Sequence, residues 1–97
     1  MSVTVRIPTI LRTYTGGAAE VSVDPAGQDA GETLQGVLDA LEAQAPGIRA
    51  RVLDDTGRLR RFVNVYVDDD DVRFAEGLAT ATPTGTSVSV IPAVAGG

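Results

Sequence analysis

Apolar and polar residues alternate along separate stretches of the chain, which is the pattern of strands that bury one face. The N-terminal third contains two such stretches, residues 3–7 and 20–24, and the C-terminal half contains residues 62–67 and 87–91. A longer loop over residues 9–18 joins the first two stretches, so we expect them to form a hairpin. The pattern therefore predicts four main strands.

One helix is predicted between the two pairs of strands. Its apolar stripe recurs at positions i, i+3, i+4 and i+7 and consists of Leu34, Val37, Leu38 and Leu41. Thr33 precedes the stripe and is a suitable N-cap, and Pro46 ends it. Gly36 interrupts the helix and weakens it by about 1 kcal/mol relative to alanine. A short turn over residues 48–53 is expected to pack Ile48, Val52 and Leu53.

Four consecutive aspartates, Asp68 to Asp71, follow the third strand and are predicted to form a turn before a short returning strand at 72–74. Such a run raises the question of a calcium site. An EF-hand loop that began at Asp68 would need an oxygen ligand at Val72 and glycine at Arg73. The pattern fails at both positions, so no metal site is predicted.

The order strand–strand–helix–strand–strand predicts an α+β fold, a β-grasp mixed sheet with one main helix packed on one face. The domain covers residues 1–92, and residues 93–97 form a flexible C-terminal tail. Alternation turns Phe62, Tyr66 and Ile91 to the sheet face away from the helix. Two interpretations remain open for this apolar cluster. It could dock a partner, or the loops at 9–18 and 75–86 could cover it.

Composition limits the chemistry that this chain can perform. It has neither cysteine nor histidine, and it carries a net charge of −5. The missing residue types remove the thiol nucleophile, the thiolate metal ligand and the commonest general base. The acidic balance disfavours nucleic acid as a partner, and no stretch approaches the roughly 20 apolar residues of a membrane span. The sequence thus predicts a cytoplasmic protein that is not an enzyme and has neither catalytic residues nor a bound cofactor.

All eight basic residues are arginines, and three of them, Arg58, Arg60 and Arg61, precede the third strand. These three could dock an acidic partner surface or an anion, or they could simply be solvated. The composition cannot decide between these interpretations.

The last residues, Ala95-Gly96-Gly97, follow the final strand closely. Glycine has no side chain and reaches backbone conformations that are closed to other residues. A partner enzyme could therefore pass Ala95 and Gly96 through a narrow channel and act on the carboxyl group of Gly97. The alternative interpretation is a frayed end of small residues.

Several segments resemble the MoaD/ThiS family of ubiquitin-like sulfur carriers. They are VRIPTILRTYTGG (5–17), RFVNVYVDDDDVRF (61–74), GLATA (77–81) and VIPAVAGG (90–97). The resemblance implies a ubiquitin-like β-grasp fold. It also implies that an ATP-dependent adenylating enzyme activates Gly97, and that sulfur then replaces AMP to leave a thiocarboxylate.

Within the family the likeness is greatest to the carriers of cysteine biosynthesis. This implies three partners, which are an adenylating or sulfurtransferase enzyme, a pyridoxal-phosphate cysteine synthase and a metalloprotease that releases cysteine. ATP would be used by the partner enzyme only. Three alternatives stay open: a carrier for molybdopterin or thiamin synthesis, a modifier joined through Gly97 to lysines of other proteins, and a plain interaction domain.

Overall fold

The computed structural model describes residues 2–92, which form one mixed sheet covered on one face by a helix. The strands are β1 (Val3–Arg6), β2 (Glu20–Val23), β3 (Val63–Val67), β4 (Asp70–Asp71) and β5 (Ser87–Pro92). The helices are α1 (Leu34–Gln44) and the short α2 (Arg49–Val52). The strand order is β2-β1-β5-β3-β4. This is the predicted β-grasp arrangement. The predicted tail, residues 93–97, lies outside the described residues.

The first and last strands pair at the centre of the sheet. β1 and β2 form the predicted antiparallel hairpin, whereas β1 and β5 run parallel and place Val5 opposite Val88. β5 also pairs antiparallel with β3, where Val65 lies opposite Val90. β5 therefore joins the N-terminal hairpin to the C-terminal half of the sheet.

The core lies between this sheet and α1. All four residues of the predicted apolar stripe of α1 are fully buried. The sheet side consists of buried valines: Val3, Val5, Val23, Val63, Val65, Val67, Val88 and Val90. Thr33 caps α1 as predicted, because its Oγ1 accepts a hydrogen bond from the Gly36 amide at 3.2 Å. Ile48, Val52 and Leu53 are also buried, so the segment that contains α2 closes one end of the core.

Gly36 lies where the loop before α1 crosses the helix. A Cβ at this position would overlap the carbonyl oxygen of Gly31 and would lie 3.0 Å from its carbonyl carbon. Gly31 itself has a φ of +64°, a conformation that favours glycine. The glycine that weakens α1 is thus required by the close approach of two backbones.

Two local predictions differ from the structure. The segment predicted as a loop over 9–18 contains a 3-10 helix, Thr9–Thr15, which ends at Gly16 with a φ of +66°. The returning strand lies at Asp70–Asp71 and not at 72–74, which forms a 3-10 turn. The physical reason is that the Asp71 carboxylate accepts a hydrogen bond from the Arg73 amide at 2.9 Å, while Val72 turns into the core. These two interactions bend the chain away from β3.

Candidate docking face and tail exit

The sheet face opposite α1 carries the predicted apolar cluster. Phe62 is 63% exposed and Ile91 is 48% exposed, whereas Tyr66 is half-buried. Ile91 lies opposite Asn64, and Tyr66 lies opposite Ser89, so the β3–β5 ladder places Tyr66 and Ile91 on the same face. The interpretation in which loops cover the cluster is wrong for Phe62 and Ile91. Phe62 lies in the turn just before β3 and not within the strand.

A groove opens beside this face at the point where β1 and β5 separate. The two strands pair only as far as Arg6 and Ser89. Beyond that point a groove of about 380 Å³ is lined by residues that include Arg6, Pro8, Arg12, Ile91 and Pro92. Since residue 93 is joined to Pro92, we call this end of the sheet the tail exit. Ala95, Gly96 and Gly97, the residues predicted to carry the chemistry, lie outside the described residues.

Two arginines are fixed at this groove by different contacts. Arg12 donates a hydrogen bond from Nε to the carbonyl oxygen of Ile7 at 3.1 Å, which holds its guanidinium at the rim. Arg6 approaches Glu20 at 3.6 Å in an exposed ion pair. Within residues 2–92 no carboxylate pairs with Arg12. Sequence reasoning missed both residues, because no periodicity distinguishes an arginine at the edge of a groove from any other solvated arginine.

A third arginine fixes the turn that precedes β3. Arg73 donates hydrogen bonds from its guanidinium to Oδ1 of Asn64 at 2.7 Å and to the carbonyl oxygen of Arg60. Asn64 is the residue opposite Ile91. Arg73 therefore holds the Phe62 turn against the same end of the sheet as Ile91.

A second groove, beside α2, contains carboxylates that are committed to the fold. Glu42 accepts hydrogen bonds from the amides of Gly47 and Arg49, at 3.0 and 2.9 Å, and these bonds hold its pKa below the ordinary glutamate value against a smaller opposing effect of burial. Asp54 accepts from the Thr56 hydroxyl at 2.6 Å and from the Arg58 amide, and these contacts likewise lower its pKa. Both groups therefore stay ionised as acceptors at neutral pH, which suits loop stabilisation and not proton transfer.

The aspartate run at 68–71 also serves local structure. Asp68 accepts a hydrogen bond from the Ser87 amide at 3.1 Å, and Asp71 caps the 3-10 turn. No group of three or more acidic, histidine or cysteine side chains is placed to hold a metal ion within residues 2–92. In the same part of the chain no helix is both long and apolar enough to cross a bilayer.

The described geometry is that of a small β-grasp domain whose uncovered sheet face adjoins Pro92, the last described residue. That combination defines the class of ubiquitin-like carrier and modifier proteins. The chain belongs to the ThiS family, whose profile matches residues 5–97. The predicted family and fold are both confirmed.

Individual relatives narrow the class. The chain is 54% identical to the sulfur carrier protein CysO of Mycobacterium tuberculosis, in an alignment that covers 100% of both chains. The crystal structure of that CysO superposes with a TM-score of 0.84 at 52% identity and covers 94% of this chain and 98% of the other. The CysO of the Amycolatopsis orientalis BexX/CysO complex superposes with a TM-score of 0.86 at 45% identity, over 98% and 99% of the two chains.

A further relative is named as a modifier. The chain is 42% identical to small archaeal modifier protein 3 of Haloferax volcanii, over 67% of this chain and 70% of the relative. The relatives described here are thus carriers and modifiers by name, in agreement with the prediction that this chain is a protein substrate and not an enzyme.

Proposed function

We propose that this chain is a sulfur carrier protein of cysteine biosynthesis, in which the carboxyl group of Gly97 carries the sulfur. The observation that carries the proposal is the 54% identity to the sulfur carrier protein CysO over the whole of both chains. The match to the ThiS family extends through residue 97, so it includes the terminal glycines.

The chemistry follows from the properties of a terminal carboxyl group. With a pKa of about 3.5 it is an anion at neutral pH, and an anionic carboxylate is a poor electrophile. A partner enzyme that uses ATP joins the carboxylate to AMP as an acyl adenylate and releases pyrophosphate. A sulfur nucleophile then attacks the acyl carbon, AMP leaves, and a thiocarboxylate remains on Gly97. The chain contains no cysteine that could compete for the activated acyl group.

Docking and delivery are assigned to different parts of the chain. Phe62, Tyr66 and Ile91 dock the partner, and the exposure of the first and last supports this role. Five extended residues beyond Pro92 span at most about 17 Å, which is enough to carry Gly97 past Gly96 and Ala95 into a partner's cleft. A CysO has been crystallised with a protein partner, BexX, which supports a role in protein–protein contact.

The later steps involve two further partners. The thiocarboxylate sulfur attacks an aminoacrylate that a pyridoxal-phosphate cysteine synthase has formed. An S-to-N acyl shift then leaves cysteine on the tail, and a metalloprotease releases it. A second candidate function is protein modification through Gly97, which the likeness to a small archaeal modifier protein favours. Covalent laddering in cell extracts would favour the modifier, and thiocarboxylate on the free protein favours the carrier.

The central experiment is incubation with the adenylating enzyme of the same organism, ATP and a sulfide source. We expect one new species whose mass rises by the difference between sulfur and oxygen, with the change confined to the terminal peptide. Deletion of Gly97 should abolish the change, and Gly97→Ala should slow it because its Cβ enters a channel shaped for glycine. Circular dichroism checks that both variants remain folded. A mass change that persists without Gly97 would rule out the proposal.

A further inference from the structure

Charge is distributed unevenly along the axis of the central strand. β5 begins beside Asp68, whose carboxylate accepts the Ser87 amide hydrogen bond, and it ends about 17 Å away at the groove that Arg6 and Arg12 line. Asp69 and Asp70 lie at the same end as Asp68, because β3 and β4 meet there. Arg6 at this groove is already paired with Glu20, so Arg12 is the groove arginine without an ion pair within residues 2–92. A chain with a net charge of −5 thus keeps an unpaired arginine at the tail exit and places Asp68, Asp69 and Asp70 at the opposite end.

The exposed apolar side chains gather at the same end as the arginines. The large apolar residues that are exposed within residues 2–92 are Ile10, Phe62, Phe74 and Ile91. Ile10 follows Thr9 of the groove, and Phe62 precedes Val63, the β3 residue that pairs with Pro92. Phe74 is 91% exposed and follows Arg73, which donates hydrogen bonds to Asn64 and to the Arg60 carbonyl oxygen in the turn before β3. Clustered exposed apolar side chains mark interaction surfaces.

We propose that the tail exit is a docking surface for a protein whose own surface has an apolar centre and carboxylates at its rim. The apolar centre would meet Ile10, Phe62, Phe74 and Ile91, and the rim would meet Arg12, Arg61 and Arg73. This inference deepens the proposed function, on which it rests, because it states the chemistry that the adenylating enzyme must present around the cleft that receives the tail.

Arginine is suited to the rim because its planar guanidinium pairs with carboxylates through two parallel hydrogen bonds. Arg12 already donates Nε to the Ile7 carbonyl oxygen, which fixes its position and leaves the outer N–H groups for a partner. Arg61 is exposed and lies beside Phe62. A partner with an acidic rim would be repelled by the acidic end of β5 and attracted by the tail exit. The charge distribution would therefore orient the encounter so that the tail faces the cleft.

Association kinetics with the adenylating enzyme of the same organism test the proposal. We compare the wild type with Arg12→Glu and Arg61→Glu, and use Arg58→Glu as the matched control. Arg58 is exposed in the turn bridged by Leu53 and Leu59, beside α2 and away from the groove, and its reversal changes the net charge by the same amount. Surface plasmon resonance at about 50 mM and about 500 mM salt gives the rate constants, since screening at the higher concentration removes most long-range attraction.

At low salt, Arg12→Glu and Arg61→Glu should each slow association about tenfold, and Arg58→Glu should change it less than about twofold. At high salt the difference between the variants and the wild type should nearly vanish. The Arg61 side chain makes no hydrogen bond or ion pair among the described residues. The Arg61→Glu variant therefore remains informative if Arg12→Glu fails to fold. Equal slowing by Arg58→Glu would overturn the proposal, and so would slowing that persists at high salt.

The mass measurement distinguishes this failure from failure of the proposed function. If the wild type gains sulfur and the three variants associate alike, the carrier function stands and the acidic partner surface is refuted. If the wild type binds the enzyme but never gains sulfur, the carrier function fails, while the association rates still decide the chemistry of the surface.

Discussion

Gly36 has a low helix propensity, yet a close backbone contact requires glycine at this position of α1. By propensity alone, alanine would stabilise α1 by about 1 kcal/mol at this position. The Gly31 carbonyl oxygen occupies the place of the missing Cβ, and it belongs to a backbone that cannot swing away as a flexible side chain could. Contact with the crossing loop therefore decides the residue type.

We expect Gly36→Ala to lower the free energy of unfolding by about 1–3 kcal/mol, because overpacking outweighs the gain in propensity. Urea denaturation monitored by circular dichroism measures the change. Gly27→Ala is the control, because Gly27 has no neighbour within 4 Å of a Cβ and no positive φ, so its stability should stay close to that of the wild type. A Gly36→Ala variant more stable than the wild type would contradict the close approach.

At the scale of elements, the junction between α1 and α2 depends on one carboxylate. Glu42 accepts the amides of Gly47 and Arg49 through its two oxygens, so it fixes the turn that begins at Pro46. Two backbone donors would otherwise lack a protein partner. Because the charged form receives these bonds, the pKa of Glu42 lies below its ordinary value of 4.5.

Glu42→Gln should reduce the free energy of unfolding by about 1 kcal/mol at neutral pH, because an amide cannot accept at both positions. The folded-state pKa is depressed, so the contribution is fully present above about pH 4.5 and is lost as pH falls through the lower folded-state pKa. Stabilities of wild type and variant should therefore converge once the pH falls below the folded-state pKa of Glu42. Chemical denaturation at several pH values gives the comparison, with Glu76→Gln, an exposed change without a side-chain cap, as the control. A pH-independent difference would contradict this account.

The sequence predicts elements well where burial imposes a period. The valines of β1, β3 and β5 and the stripe of α1 all follow their periods, and all are buried. Prediction fails for the segment 72–74, where a buried Val72 and the Asp71 cap decide the conformation without any repeat. The 3-10 helix Thr9–Thr15 was missed for the same reason, since only Leu11 is buried within it.

The positions of the candidate docking residues were predictable to a similar extent, whereas their role in docking stays a prediction. Alternation along β3 and β5 places Tyr66 and Ile91 on the uncovered face, because side-chain direction follows strand period. The positions of Arg12 and Arg73 depend on contacts with Ile7 and Asn64 that are distant in sequence or follow no period. Such contacts emerge only when the chain has folded.

At the scale of the whole molecule, the uncovered face should tolerate changes that the core does not. We expect Tyr66→Ala to weaken binding to the adenylating enzyme by about 2 kcal/mol, or roughly 30-fold in Kd, as is typical of an aromatic hot spot. Titration calorimetry measures the affinity, and thermal unfolding measures the stability. Val65→Ala is the control, because Val65 faces α1 and its truncation should lower stability without changing the affinity of the folded protein.

Loss of folding in the Tyr66→Ala variant would change the role assigned to this sheet face. If Tyr66→Ala unfolds the domain while the folded fraction keeps its affinity, Tyr66 is a structural residue and the docking role falls to its exposed neighbours.

The central position of β5 has a consequence for how the newly synthesised chain folds. β5 is the strand that joins the N-terminal hairpin to β3 and β4, yet it is synthesised after all the other strands of residues 2–92. A nascent chain that lacks β5 has two strand pairs with no common ladder and a core open along its middle. Contacts between chain ends carry the largest loop-closure entropy, so they form late. The same segment that completes the sheet also leads directly into residues 93–97. Pairing of β5 therefore completes the sheet and fixes the point from which the chain continues beyond Pro92 in a single step.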